Sequence, residues 1–208
     1  MAENKDALRA AVGATCHRLQ EAYLGDRNSA RHHSARATLA ELRRGATVDI
    51  RKNPLGLEKV LFAMAGDFSD RLVGHGDNPS PSEEAAFVAL TLFGVHMQSA
   101  TSPVHISQVS FASACGRLHS LGTSDSIKPR VDAMLLASQE QARLVHIRSL
   151  VTLLRANNIG FDYGLLARDL RALNDPKKRA GIQLRWGRDF AIGHFRNSNS
   201  TTNSTQTA

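Results

Sequence analysis

Apolar side chains recur along this chain at three- and four-residue intervals, the spacing that gathers them on one face of an α-helix. Leu8, Val12, Cys16, Leu19 and Tyr23 mark a first helix over residues 5–24, closed by Gly25-Asp26. From Ser29 to Arg44 the inward positions are Ala35, Leu39 and Leu42, while Arg36, Arg43 and Arg44 project elsewhere and Gly45 stops the helix. Residues 46–56 read as loop, with Asn53-Pro54 and Gly56 as breakers. A third helix is expected from Leu57 to about Val73, with Val60, Leu61, Met64, Phe68 and Leu72 inside.

Two glycines, two prolines and short polar residues between Gly74 and Pro81 disfavour helix, so a boundary is expected there between two helical halves, residues 1–78 and 79–196. Ser80-Pro81-Ser82-Glu83 has capping-box spacing with proline at the first helical position. The following body, Ala85 to Met97, is apolar nearly all round and is expected at the centre of the second half. A helix over 107–121 ends at Gly122. Another region opens at Asp125-Ser126, bends, and continues through Leu144, Ile147, Leu150, Val151 and Leu154 to Asn157-Asn158, residues that tolerate a left-handed helix end. Asp162 caps a helix with Leu166, Leu170 and Leu173 on one face; Asp175-Pro176 opens the last, with Ile182, Trp186 and Phe190 four apart. No apolar–polar alternation stands out, so the fold class is all-α, a bundle of about eight helices. The Asn, Ser, Thr and Gln tail, 197–208, has no apolar anchor and is expected to be disordered.

Charge changes this picture. With 26 Lys+Arg against 19 Asp+Glu, the formal charge is +7, which favours polyanionic partners. Cys16 and Cys115 lie far apart, no basic-then-apolar leader opens the chain, and charged or glycine residues break every apolar run. A soluble cytoplasmic protein without membrane, disulfide or zinc follows.

Candidates for chemistry are few. The histidines stand apart or, as His32-His33, point apart, with no paired i, i+4 spacing for a metal. Asp67 and Asp70 share a helix edge with no third acid near in sequence, and phosphate loops of the GxxxxGK type are absent. No cofactor or catalytic residue is assigned. The cations form a pattern instead. Arg148 and Arg155, seven apart, lie along one flank of the stripe made by Leu144, Ile147, Val151 and Leu154, with Arg117 and Arg130 in neighbouring helices. Lys177-Lys178-Arg179 oppose the dipole at a helix start, a cost that suggests a partner. Guanidinium groups suit phosphate, and an aromatic content of 5% argues against base stacking as the main mode. The expectation is backbone binding without sequence readout, through Arg36, Arg43, Arg44, Arg117, Arg130, Arg148, Arg155, Lys177, Lys178 and Arg179. Two alternatives stay open: a helix-turn-helix regulator reading duplex DNA, and a metal-dependent nuclease.

Three blocks in order, Ser34-Ala35-Arg36-Ala37-Thr38-Leu39-Ala40-Glu41-Leu42-Arg43-Arg44-Gly45, Phe161-Asp162-Tyr163-Gly164-Leu165-Leu166-Ala167-Arg168-Asp169-Leu170 and Leu184-Arg185-Trp186-Gly187-Arg188-Asp189-Phe190, resemble the CasB small subunit of the type I-E CRISPR surveillance complex, Cascade. The resemblance runs from about Arg27 to Phe190 with a variable middle. It implies an all-helical, non-catalytic subunit, present as two copies beside the other Cascade subunits, that contacts crRNA and target DNA and helps hold the displaced strand of the R-loop. By position, Arg43 and Arg44 match the family's Arg-Arg pair, and Arg117, Arg130 and Arg148 match single family arginines. Gly181-Ile182-Gln183 and the long polar tail depart from the family pattern.

Overall fold

A computed structural model of the chain describes residues 6–64 and 70–205. Among them the periodic segments form nine α-helices: α1 (Ala7–Leu24), α2 (Ala30–Arg44), α3 (Pro54–Ala63), α4 (Pro81–His96), α5 (Phe111–Ser120), α6 (Ile127–Leu136), α7 (Glu140–Ala156), α8 (Tyr163–Leu173) and α9 (Pro176–Thr205). The all-α expectation holds among the described residues, and the count exceeds eight because the region read as one bent helix from Asp125 is two, α6 and α7; the third helix differs from its reading in its bounds. Asn53 and Pro54 break the preceding chain but also start a helix: the Asn53 side chain accepts the Gly56 N–H at 3.0 Å, and Pro54 needs no acceptor for its missing N–H. That helix stops at Ala63 instead of running to Val73; Asp67 and Phe68 lie outside the described residues, and Asp70–Leu72 form a 3-10 turn. Likewise, the fifth helix starts at Phe111 instead of 107, because the Ser110 hydroxyl accepts the Ser113 N–H at 3.1 Å. The stretch before it pairs with the strand-like entry to α8, Phe161 N–H donating to Val104 O at 3.0 Å and Ile106 N–H to Phe161 O at 3.1 Å.

Capping explains the other boundaries. Ser80 and Glu83 form both halves of a capping box, and Asp162 accepts the Leu165 N–H at 3.0 Å. At Asn158 φ is +53° and at Gly122 +64°, the left-handed turns that end α7 and α5. The bend expected before Leu144 is a full break at 137–139, tied by buried Arg143, whose Nη2 donates to Ala137 O at 3.0 Å. Helix α9 joins the core through Ile182, Trp186 and Phe190, all upstream of the polar segment 197–208 whose composition suggests disorder; residues 206–208 lie outside the described residues.

One core crosses the linker at 74–80. Leu8, Val12 and Cys16 from α1 join Leu39 and Leu42 from α2, Phe87, Leu90 and Phe93 from α4, and Tyr163, Leu166 and Leu170 from α8. The apolar helix α4 lies at its centre, packed by α1, α2, α7 and α8. The closest helix pair is α5 against α9, because Gly116 and Gly193 carry no Cβ where each would overlap the other helix's backbone, at Phe190 O and Ser113 O respectively.

Candidate nucleic-acid interface

Only one stripe of α4 reaches solvent. Glu84, Val88, Thr91 and Val95 recur at three- and four-residue steps, continued by Gln98 in the turn just past the helix, and all but Thr91 are partly or fully exposed. Two walls rise beside this stripe. One is α2 with the 3-10 turns that follow it, Gly45–Thr47 and Ile50–Lys52. Gly45 sits against Thr91 and Phe87, and a Cβ on Gly94 would stand 2.8 Å from Arg43 N, so α2 descends as α4 ascends. The other wall is α7, running parallel to α4: Leu144 and Arg148 border Val88, and further along Arg155 Nη1 donates to Gln98 Oε1 at 2.7 Å and to Val95 O at 3.4 Å. A groove of about 250 Å³ opens between the walls, lined by Val48, Arg51, Glu84, Val88, Leu144 and Arg148 among others.

The groove is electrically uneven. At the start of α4, Asp49, Glu84 and Glu140 face a single arginine, Arg51, which pairs with Glu84. Burial, and then repulsion from Glu140 and Asp49, raise the Glu84 carboxyl above its ordinary range despite the opposing effect of Arg51. Toward the other end Arg148 lines the groove and Arg155 is bonded to the same stripe of α4, while Arg36, Arg43 and Arg44 are exposed on α2 and do not line the groove. Arg44 and Lys59 both bind Glu41, whose carboxyl is lowered chiefly by the Lys59 hydrogen bond.

Arg148 is the exception among them. It is half-buried, its Nε is sealed from solvent with no acceptor, and no carboxylate among the described residues lies within ion-pair distance of it. Burial lowers its pKa, which leaves a desolvated cation facing the groove uncompensated by the protein.

The remaining nominated residues stand elsewhere. Arg117 is exposed on α5 and Arg130 half-buried on α6; neither lines the groove. For the cluster at the start of α9 the structure supplies intramolecular reasons that sequence reasoning did not find. Lys178 pairs with Asp175 at 3.2 Å, and Arg179 Nε donates to Leu173 O at 2.9 Å, at the negative end of α8. The dipole cost assigned to these two charges is therefore offset within the fold, and Lys177 remains exposed. Arg185, further along α9, sits 2.5 Å from buried Asp169, which also accepts Trp186 Nε1–H at 2.7 Å and the Arg168 guanidinium. Residues missed outright include Gln98, which anchors Arg155, and Arg143; both are long polar side chains whose partners are distant in sequence.

Catalytic arrangements gain nothing from the geometry. Among the described residues no three His, Cys, Asp or Glu side chains are grouped to hold a metal, and Asp70 is described without Asp67. Asn157, at the end of α7, spends its side chain on Leu153 O at 2.9 Å. Among the described residues no helix is long and apolar enough to cross a membrane.

Beneath the cationic end lies His96, fully buried, its Nδ1 2.9 Å from the Tyr163 hydroxyl. Burial first, and Arg155 second, push its pKa down to about 4. In the unfolded chain an imidazole gains its proton near pH 6.5, so between there and pH 4 the unfolded state binds more protons and stability falls with falling pH. His96 alone is expected to lower unfolding free energy by about 2 kcal/mol between pH 7 and pH 5. His105, lowered chiefly by burial, adds in the same direction. Urea unfolding at the two pH values checks this; equal midpoints contradict a buried neutral His96.

Comparisons with known proteins follow this geometry. The sequence model of the family described as CRISPR-associated protein Cse2 matches residues 38–190. A solved structure described as CasB from Thermobifida fusca is 28% identical, superposes with a TM-score of 0.71, and covers 89% of this chain and 98% of its own. A second, CasB from M. ruber, is 21% identical with a TM-score of 0.52, covering 95% of this chain and 98% of its own, and speaks for the fold alone. Among curated proteins nothing matches.

Proposed function

The chain belongs to the CRISPR-associated Cse2 family, and from that premise we propose that it is a non-catalytic subunit of a type I-E Cascade complex that holds nucleic acid by its backbone. In this reading crRNA and target DNA lie along the cationic end of the α4 groove, between α2 and α7. Guide pairing supplies sequence specificity, and this subunit supplies fixed positive charge that favours the open R-loop. It works in the cytoplasm beside the other Cascade subunits and a second copy of itself.

Arg148 carries the proposal. A guanidinium held half-buried, without a carboxylate and with its Nε unsatisfied, is costly to a free protein and becomes useful when phosphate oxygens complete its bonding. Neighbouring Arg155 is held by its bonds to Val95 and Gln98, so little side-chain freedom remains to be lost on binding. The Cse2 family match, with the similarity to the T. fusca CasB, supports placing these cations in a Cascade context.

The test is a competition assay with the full chain. A labelled single strand bound to the protein should be displaced by scrambled strands of equal length with affinities agreeing within about twofold, since backbone contacts carry no sequence information. Added magnesium or manganese should leave the strand uncut. A clear preference for one sequence, or cleavage, contradicts the proposal.

A further inference from the structure

A second cleft, of about 690 Å³, lies between α1 and the start of α8, lined by Arg9, Gly13, Ala14, His17, His105 and Arg168 among others. None of the groove arginines lines it. Its volume falls within the roughly 300–1,000 Å³ common to small-molecule sites, and three observations point to an occupant.

The first is His105, which is only 7% exposed. Its Nδ1 accepts the Tyr163 N–H at 3.2 Å, so the neutral ring carries its proton on Nε2. That Nε2 faces α1 at Gly13 and has no acceptor among the described residues. A donor without a protein acceptor thus borders the cleft.

The second is Gly13 itself. A glycine inside a helix costs about 0.5–1 kcal/mol relative to alanine. Packing does not demand it here, since the nearest atom a Cβ would meet is His105 Nε2 at 3.9 Å. With Ala10 and Ala14 it leaves a low, flat floor that a planar body can approach closely.

The third is the charge. Both carboxylates of the cleft are already engaged. Asp6 is bound by Arg171 at 2.5 Å and by the Arg9 N–H at 3.1 Å, and Asp162 by the Leu165 and Gln108 N–H groups, each at 3.0 Å, with Arg9 at 3.6 Å. Arg168 shares Asp169 with Arg185, so that cluster retains net positive charge. Arg9 is balanced by Asp162 and donates to Gln108 Oε1 at 2.8 Å, so the uncompensated charge beside the cleft is that of the Arg168–Arg185–Asp169 cluster; His17 is partnered by Glu21 at 3.2 Å.

We infer that this cleft binds one nucleotide unit, its phosphate held by Arg168 and by Arg9 once Arg9 exchanges its Gln108 bond for a phosphate oxygen, its base lying on the Gly13–Ala14 floor and an acceptor of the base or sugar taking the His105 Nε2–H. The unit arrives either as a free mononucleotide or as one residue of a strand. This site is independent of the groove, and its failure leaves the groove untouched.

The test titrates the full chain, labelled with ¹⁵N at histidine, with AMP and separately with a five-residue oligodeoxythymidylate. The wild type, two variants and their combination are compared: Gly13→Leu, which fills the cleft while breaking no polar contact, and Arg148→Met/Arg155→Gln, which removes the groove's charge while keeping the aliphatic stems packed. The inference predicts that at least one probe moves the His105 Nε2 resonance. It predicts that in the groove variant the His105 shift persists, and that adding Gly13→Leu in that background weakens this probe roughly tenfold or more with thermal stability retained. Response to AMP identifies a free nucleotide; response to the oligomer alone identifies a strand. An unmoved His105 resonance with both probes, or equal affinity with and without Gly13→Leu in the groove variant, overturns it.

Discussion

Reversing Arg148 and Arg155 together to glutamate is expected to weaken single-strand binding by roughly a hundredfold to a thousandfold at moderate salt. Each reversal removes a cation from the wall of the α4 groove and sets an anion against the phosphates, so four terms of about 1 kcal/mol act in one direction. Exposed surface charges rarely have such leverage, because solvent screens them. Arg148 differs in being half-buried with an unsatisfied Nε, and Arg155 in being fixed by Gln98. Electrophoretic or fluorescence titration measures the loss. Because a buried glutamate also strains the fold, the neutral pair Arg148→Met with Arg155→Gln serves as control, keeping the aliphatic stems packed. It should lose about half of the binding free-energy change while unfolding at nearly the wild-type midpoint.

The largest stability effect is expected at Gly116. Valine there should cost about 3 kcal/mol or more, because its side chain would overlap the Phe190 carbonyl oxygen and crowd His194 N on α9, and backbone cannot retreat as a flexible side chain can. The change would pry apart the most extensive helix pair in the molecule and disturb the seats of Trp186 and Phe190. Gly181 and Gly187 on the same helix α9 provide the contrast: nothing lies within 4 Å of a Cβ at either position. Alanine at those sites should be neutral or should stabilise by about 0.5–1 kcal/mol. Urea unfolding of the three variants separates the cases, and a Gly116→Val protein as stable as wild type would contradict the crossing.

Elements whose signals are local were legible in the sequence. The Ser80–Glu83 box, the Asp162 cap and the stripes Leu166–Leu170 and Ile182–Trp186 lie where spacing places them, since caps and periodicity depend on neighbours within one turn. Where one residue type has two meanings, the reading failed: Asn53-Pro54 signals a break and also begins α3. The groove needed tertiary information. Arg148 and Arg155 could be placed on one flank of a helix, but that Arg155 meets Gln98 and that α2 packs its Arg43 backbone beside Gly94 of α4 depends on helices packing across the linker at 74–80. At the start of α9, counting charge misled, because the partners of Arg179 and Arg185 are a helix-end carbonyl and a buried carboxylate that composition does not reveal.

The central claim is that desolvated arginines along α4 meet sugar-phosphate chains directly, and the salt dependence of single-strand affinity tests it most directly. Each phosphate contact contributes a slope of about −0.7 to log affinity against log salt on a single strand. Wild-type protein should show a steep negative slope, and the Arg148→Met/Arg155→Gln protein one shallower by about 1.4. Identical slopes and affinities in the two proteins would contradict the account.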